Sequence, residues 1–136
     1  MTVPGKVEDD EACMARILII DDDREIRHPL RVALENAGHE VLEAQNGTEG
    51  VRLWVDRGAD LVITDVFMPE KDGLEVISEL RALSPGVKII ALSAGDSTRS
   101  LHNLSDAKLF GALRTIPKPF RHAEILATID ELLAQR

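Results

Sequence analysis

The chain has 136 residues, enough for one domain with a real core, and its 44% hydrophobic and 29% charged residues give a globular rather than a disordered balance. A net charge of -8, only 3% aromatic residues and no Tyr argue against direct binding of nucleic acid, whose phosphates attract basic patches. No stretch is long and apolar enough to span a bilayer, so membrane insertion is excluded too.

Residues 1–14 carry Pro4, Gly5 and the acidic run Glu8-Asp9-Asp10-Glu11 without apolar periodicity, and read as a flexible tail ahead of a domain at 15–136. The single Cys13 cannot form an internal disulfide, and the N-terminus lacks the basic-then-apolar order of a signal peptide. A cytoplasmic location is expected.

After Met14, short apolar runs alternate with segments of helical spacing. Arg16-Ile17-Leu18-Ile19-Ile20 reads as a strand buried on both faces, followed by Asp21-Asp22-Asp23. Asp23 is placed to cap a helix carrying Ile26, Leu30, Ala33, Leu34 and Ala37, bent early by Pro29 and stopped by Gly38. A second strand is predicted at 40–44, then a turn at Asn46-Gly47, then a helix with Val51, Trp54 and Val55 up to Gly58. The third strand, Leu61 to Thr64, again ends in aspartate, Asp65. A helix with Leu74, Ile77, Leu80 and Leu83 closes at Ser84-Pro85-Gly86, and residues 87–92 supply strand four. Turn-forming residues at 96–100 delay the next helix to about 101–111. Strand five, near 113–116, meets Pro117, which cannot donate to a sheet ladder, so an edge position is predicted. The last helix carries Ile125, Leu126, Ile129, Leu132 and Leu133. The four histidines, His28, His39, His102 and His122, show no ligand spacing and are expected at the surface, while Trp54 is expected to pack.

Five strands alternating with five helices predict an α/β fold, a doubly wound parallel sheet of flavodoxin-like order 2-1-3-4-5. In that order strands one and three are neighbours, and ligands gather at the carboxyl ends of such strands. Asp21, Asp22 and Asp65 would therefore converge, repelling by roughly 4 kcal/mol per pair at an effective dielectric constant of about 20 unless a cation intervenes. Mg²⁺ suits this set, with Mn²⁺ as a substitute, because it takes one or two carboxylates plus water and phosphate. Strand four ends in Ser93-Ala94 and strand five in Lys118-Pro119-Phe120, so a hydroxyl and an ammonium face the same edge. Such donors stabilise phosphoryl oxygens. Each has a plainer reading alone: Asp23 and its neighbours as turn formers, Ser93 as a strand-end cap, Lys118 as a surface charge.

The segments Ile17 to Asp23, Asp65-Val66-Phe67-Met68-Pro69-Glu70-Lys71-Asp72-Gly73, Ala91-Leu92-Ser93-Ala94 and Gly111-Ala112 ahead of Lys118-Pro119-Phe120 resemble the receiver domain of bacterial response regulators, chemotaxis regulators included, over about residues 15–135. The resemblance implies that Asp65 is the phosphoacceptor and that Mg²⁺ is held by Asp22, Asp65 and the backbone carbonyl of Phe67, with Asp21 supporting from outside or through water. It also implies phosphoryl contacts from Ser93, Ala94 and Lys118, and a cis Lys118-Pro119 bond. The donor would be a phosphohistidine of a sensor histidine kinase or a histidine phosphotransfer protein, and the output a protein target. That is a switch or phosphorelay intermediate in the cytoplasm rather than a dedicated turnover enzyme.

Where the family usually has Tyr or Phe, three residues before the lysine, this chain has Thr115, too small to fill the cavity an aromatic ring would occupy. Output is then expected through the loop at 93–99, or weakly, as in an atypical receiver used as a scaffold. Phe67 is expected to shield the acyl phosphate from water. A flavodoxin-type FMN carrier is disfavoured, because the acidic loop after strand one would repel the flavin phosphate. A haloacid-dehalogenase-type phosphatase fits the Asp21 and Asp23 spacing, but Glu25 stands where Thr or Val is required. Both a stand-alone receiver and a piece of a longer regulator are compatible with these residues.

Overall fold

The computed structural model describes residues 15–66, 73–93 and 112–134. Its elements are β1 (Arg16–Ile20), α1 (Arg24–Asn36), β2 (Glu40–Ala44), α2 (Gly47–Arg57), β3 (Leu61–Asp65), α3 (Gly73–Leu83), β4 (Ile89–Ser93), β5 (Arg114–Pro117) and α4 (His122–Ala134). The five strands form one sheet in the order β2-β1-β3-β4-β5, with every pair parallel. The predicted order is the observed one. Four helices lie among the described residues; the helix expected near 101–111 and the tail at 1–14 fall outside them.

The sheet is covered on both faces because its central strands β1, β3 and β4 are apolar on both sides, with Thr64, Asp65 and Ser93 as the polar positions at their carboxyl ends. Ile17, Ile19, Leu61, Ile63, Ile90 and Leu92 point to one side, where Leu30 and Leu34 of α1 and Ile125, Ile129 and Leu132 of α4 pack on them. Leu18, Ile20, Val62, Ile89 and Ala91 point to the other, against Val76, Ile77 and Leu80 of α3 and the partly buried Val51, Leu53 and Trp54 of α2. This is the period-two alternation of a strand applied to a sheet with two cores. Truncating one of the fully buried side chains, such as Ile63, to Ala removes about 2–5 kcal/mol of stability.

Helix starts follow the expected chemistry. Asp23 caps α1, its side chain accepting from the Glu25 N–H at 2.9 Å, and Gly38 ends the helix region at φ +99°. Asn46-Gly47 does more than turn: Asn46 Oδ1 accepts from Glu49 N and Glu49 Oε1 accepts from Gln45 N, each at 2.8 Å. This reciprocal cap makes Gly47 the first residue of α2.

Several expectations need correction. Strand four begins at Ile89 rather than at 87, and strand five is shifted one residue to Arg114–Pro117, though it does lie at the sheet edge. Val55 and Leu83 keep 60% and 55% of their surface exposed, because each sits at the margin of its helix's apolar stripe. His39 is buried, not at the surface, and its Nδ1 accepts the Ala15 N–H at 3.2 Å. His28 and His122 are exposed, and His102 is outside the described residues. No helix of the described residues is long and apolar enough to cross a membrane.

Candidate functional site

Three strands deliver the charged groups to one edge of the sheet. Asp21 follows the last residue of β1 and is fully buried. Its Oδ1 accepts the Asp23 N–H at 2.9 Å, and its Oδ2 accepts from Lys118 Nζ at 3.1 Å. Asp22, next in the turn, is exposed. Asp65 closes β3 and keeps only 5% of its surface accessible. Lys118 follows β5 directly; its Nζ is also 3.4 Å from Asp65 Oδ2, and its peptide bond to Pro119 is cis. One ammonium thus bridges two buried carboxylates.

Carboxylate oxygens of Asp21, Asp22 and Asp65 lie within 4.8 Å of one another. Two oxygens on opposite sides of an octahedral Mg²⁺ are about 4.2 Å apart, so this set can supply one or two direct ligands with water completing the shell. The charge fits as well. Among the described residues, three carboxylates against one ammonium leave two negative charges, the complement of a divalent cation.

Burial and neighbouring charges oppose each other in the protonation chemistry, and a different one wins at each group. Burial raises the Asp21 carboxyl pKa from its ordinary value, outweighing the Asp23 N–H and the Lys118 ammonium that favour its charge. Burial also pulls on Lys118, downward, but Asp65 and Asp21 together carry its ammonium above the usual lysine value. Lys118 is therefore a standing cation at neutral pH. Beside it, Ser93 at the end of β4 is fully buried, and its Oγ has no hydrogen-bond partner among the described residues. The Lys118 N–H donates to the Ser93 carbonyl, which ties the two donors' backbones together.

Of the residues singled out in the sequence, Asp21, Asp22, Asp65, Ser93 and Lys118 all come to this edge, and Asp23 caps α1 instead. Phe67 and Ala94 lie outside the described residues. Thr115 is half-buried on β5, in register with Ala91. Two further residues hold the site: Gly73, which the sequence showed only as the end of the segment after Asp65 and without a role, and Arg27, which sequence reasoning missed. Gly73 donates its N–H to the Val66 carbonyl, and a Cβ there would collide with the Asp65 carbonyl oxygen and come within 2.7 Å of Val66 Cα. Its signal was its place beside the third strand's acidic end. Arg27 donates from Nη1 to the Asp21 carbonyl at 2.7 Å. Nothing in its local sequence separates it from an ordinary helix-surface charge.

A shallow cleft of about 190 Å³ opens beside the carboxylates, lined by Glu25, Ile26, Pro29, Lys118, Pro119, Phe120 and His122. A roomier depression of about 390 Å³ lies at the opposite, amino end of the strands, among Arg16, Glu40, Arg57 and Asp60, away from the carboxylate cluster.

Comparison with known proteins places this geometry in a family. The profile of the response regulator receiver domain matches residues 17–130. The chain belongs to the response regulator receiver family. It is 42% identical over 118 residues to the response regulator MprA of Mycobacterium sp. (strain KMS), covering 87% of this chain and 50% of that protein. The receiver thus spans about half the length of that relative. It is 36% identical to a protein named DNA-binding transcriptional regulator NtrC from Azospirillum brasilense, over 88% of this chain but 24% of that one. Among solved structures, a CheY-like response regulator receiver domain protein from Methanospirillum hungatei superposes with a TM-score of 0.83 at 31% identity, covering 90% of this chain and 95% of that one. The chain is therefore a two-component signalling receiver with a flavodoxin-like fold, and its acidic cluster lies at the expected edge of the sheet.

Proposed function

We propose that Asp65 accepts a phosphoryl group from a phosphohistidine on a sensor histidine kinase or histidine phosphotransfer protein. The observation that supports this most directly is the grouping, at one strand edge, of the buried Asp65 carboxylate, the Lys118 ammonium 3.4 Å away and the Ser93 hydroxyl, which has no partner among the described residues. A carboxylate oxygen of Asp65 attacks phosphorus, the P–N bond to the donor imidazole breaks, and the imidazole leaves with the electron pair and takes up a proton. An acyl phosphate on Asp65 results. No general base is required, since a carboxylate needs no deprotonation at neutral pH.

Asp22, Asp65 and the backbone carbonyl of Phe67 are the proposed protein ligands for Mg²⁺, or for Mn²⁺ in its place, with Asp21 supporting them. When bound, the cation neutralises charge that develops on the transferring phosphoryl oxygens. Lys118 holds Asp65 and one phosphoryl oxygen, while the Ser93 hydroxyl and the Ala94 N–H donate to others. The modified receiver then acts in the cytoplasm by contact with a protein target, with Thr115 at the switch position. The segment shared with NtrC covers 24% of that protein, and the DNA binding in its name is not assigned to this segment.

The deciding measurement is intact mass after incubation with acetyl phosphate and Mg²⁺, beside an Asp65→Asn control. One phosphoryl group gained by the wild type and none by the control is the expected result. A wild type that gains none, or a control that gains one equally, overturns the assignment.

A further inference from the structure

The acidic turn after β1 is held by residues that take no part in the chemistry. Glu43 on β2 accepts from Arg27 Nε at 2.6 Å with Oε1 and from Arg31 Nη1 at 2.7 Å with Oε2. Arg27 and Glu43 keep only 12% and 18% of their side-chain surface exposed, so solvent screens this pair little. With its second arm, Nη1, Arg27 donates to the Asp21 carbonyl at 2.7 Å. The next residue of β2, Ala44, accepts the Asp21 N–H at 3.1 Å. Both polar groups of the Asp21 backbone are thus tied to β2, one directly and the other through a guanidinium oriented by Glu43.

The Asp21 carbonyl belongs to the peptide unit that leads into Asp22. Its direction sets where the exposed Asp22 carboxylate stands relative to Asp65. We infer that Arg27 is a positioning residue for the cation site, with Glu43 as its anchor. The inference rests on the cation reading given above. Arg31 provides the contrast: it shares Glu43 but otherwise pairs with the exposed Glu35 at 3.0 Å, and none of its hydrogen bonds reaches the acidic turn among the described residues.

The test is Mg²⁺ titration of the full chain by calorimetry, with thermal melting of each variant alongside. Outer partners of metal ligands typically contribute tenfold or more to affinity, so Arg27→Met is expected to weaken Mg²⁺ binding about tenfold. Arg27→Lys should recover part of the loss, because an ammonium can donate to the Asp21 carbonyl but lacks the second arm for Glu43. Arg31→Gln should leave affinity unchanged even where it lowers the melting temperature. In phosphorylation by acetyl phosphate, Arg27→Met should raise the Mg²⁺ concentration for half-maximal rate and leave the maximal rate near wild type. A merely structural role would lower the maximal rate of both arginine variants. Glu43→Gln is a second arm that does not depend on Arg27→Met folding, and it should weaken Mg²⁺ binding by a smaller factor. Arg27→Met binding as tightly as wild type, Arg31→Gln weakened as much as Arg27→Met, or Glu43→Gln at wild-type affinity beside an unfolded Arg27→Met each overturns the inference. A wild type that binds no Mg²⁺ overturns the cation reading itself, and the role of Arg27 with it.

Discussion

A buried hydroxyl without a partner is destabilising, so the state of Ser93 identifies where a ligand oxygen would be welcome. Replacing it with Ala removes no bond among the described residues. Ser93→Ala is therefore expected to keep or raise the melting temperature while slowing phosphorylation of Asp65. A hydrogen bond to a charged group is worth about 1.5–3 kcal/mol, which corresponds to roughly a tenfold to hundredfold slower rate by timed intact-mass analysis. His39 makes the opposite case, a buried polar group whose partner is essential. Its Nδ1 must stay unprotonated to accept from Ala15 N–H, and burial lowers its pKa against a weaker pull upward from Asp130. The unfolded chain, titrating near the ordinary histidine value of about 6.5, binds the proton first as pH falls. Stability from His39 is thus fully present above that value, declines as pH drops toward the lower folded pKa, and levels off beneath it. Urea unfolding at pH 7.5 and 5.5 should show a drop that His39→Gln diminishes; an identical drop in the variant would count against this account.

At the scale of elements, the junction of β3 with α3 couples packing to chemistry. Gly73 touches the Asp65 carbonyl and Val66 so closely that any side chain must push the end of β3 or the start of α3 aside. Overpacking of this kind destabilises by about 1–3 kcal/mol. Asn46→Ala, which removes the cap of α2, should cost a similar amount, about 1 kcal/mol. The two should separate in function: Gly73→Ala slows phosphorylation because Asp65 moves, whereas Asn46→Ala leaves the rate intact. Equal rates in both would show that the close approach does not govern Asp65. These elements also show what a sequence displays and what it hides. β1, β3 and β4 were legible because burial on both faces leaves unbroken apolar runs, and their acidic or hydroxyl endings marked the site. Asp23 and Gly38 announced the ends of α1 through local rules. His39 and Arg27 were not legible, since their partners Ala15 and Glu43 lie 24 and 16 residues away and only the fold brings them together. Val55 and Leu83 misled because helical spacing defines a stripe but not its margins.

For the whole molecule, the parallel sheet concentrates charge where its strands end. A chain already at -8 gathers three carboxylates within 4.8 Å and, among the described residues, sets one ammonium against them. Folding without a cation therefore works against repulsion, and a cation that binds only the folded state adds stability by mass action. At a Mg²⁺ concentration one hundred times its dissociation constant, the gain is about 2.7 kcal/mol, several degrees in melting temperature for a domain of this size. Asp22 is the exposed member of the cluster, so Asp22→Asn lowers the repulsion without opening a cavity in the core. In chelator, Asp22→Asn should melt at or above the wild-type temperature; in Mg²⁺, the order should reverse as the wild type rises and the variant does not. Sodium chloride at matched ionic strength separates specific binding from screening, since screening would raise both proteins alike. A wild type whose melting temperature responds to Mg²⁺ no more than to sodium would mean that Lys118 alone balances the cluster.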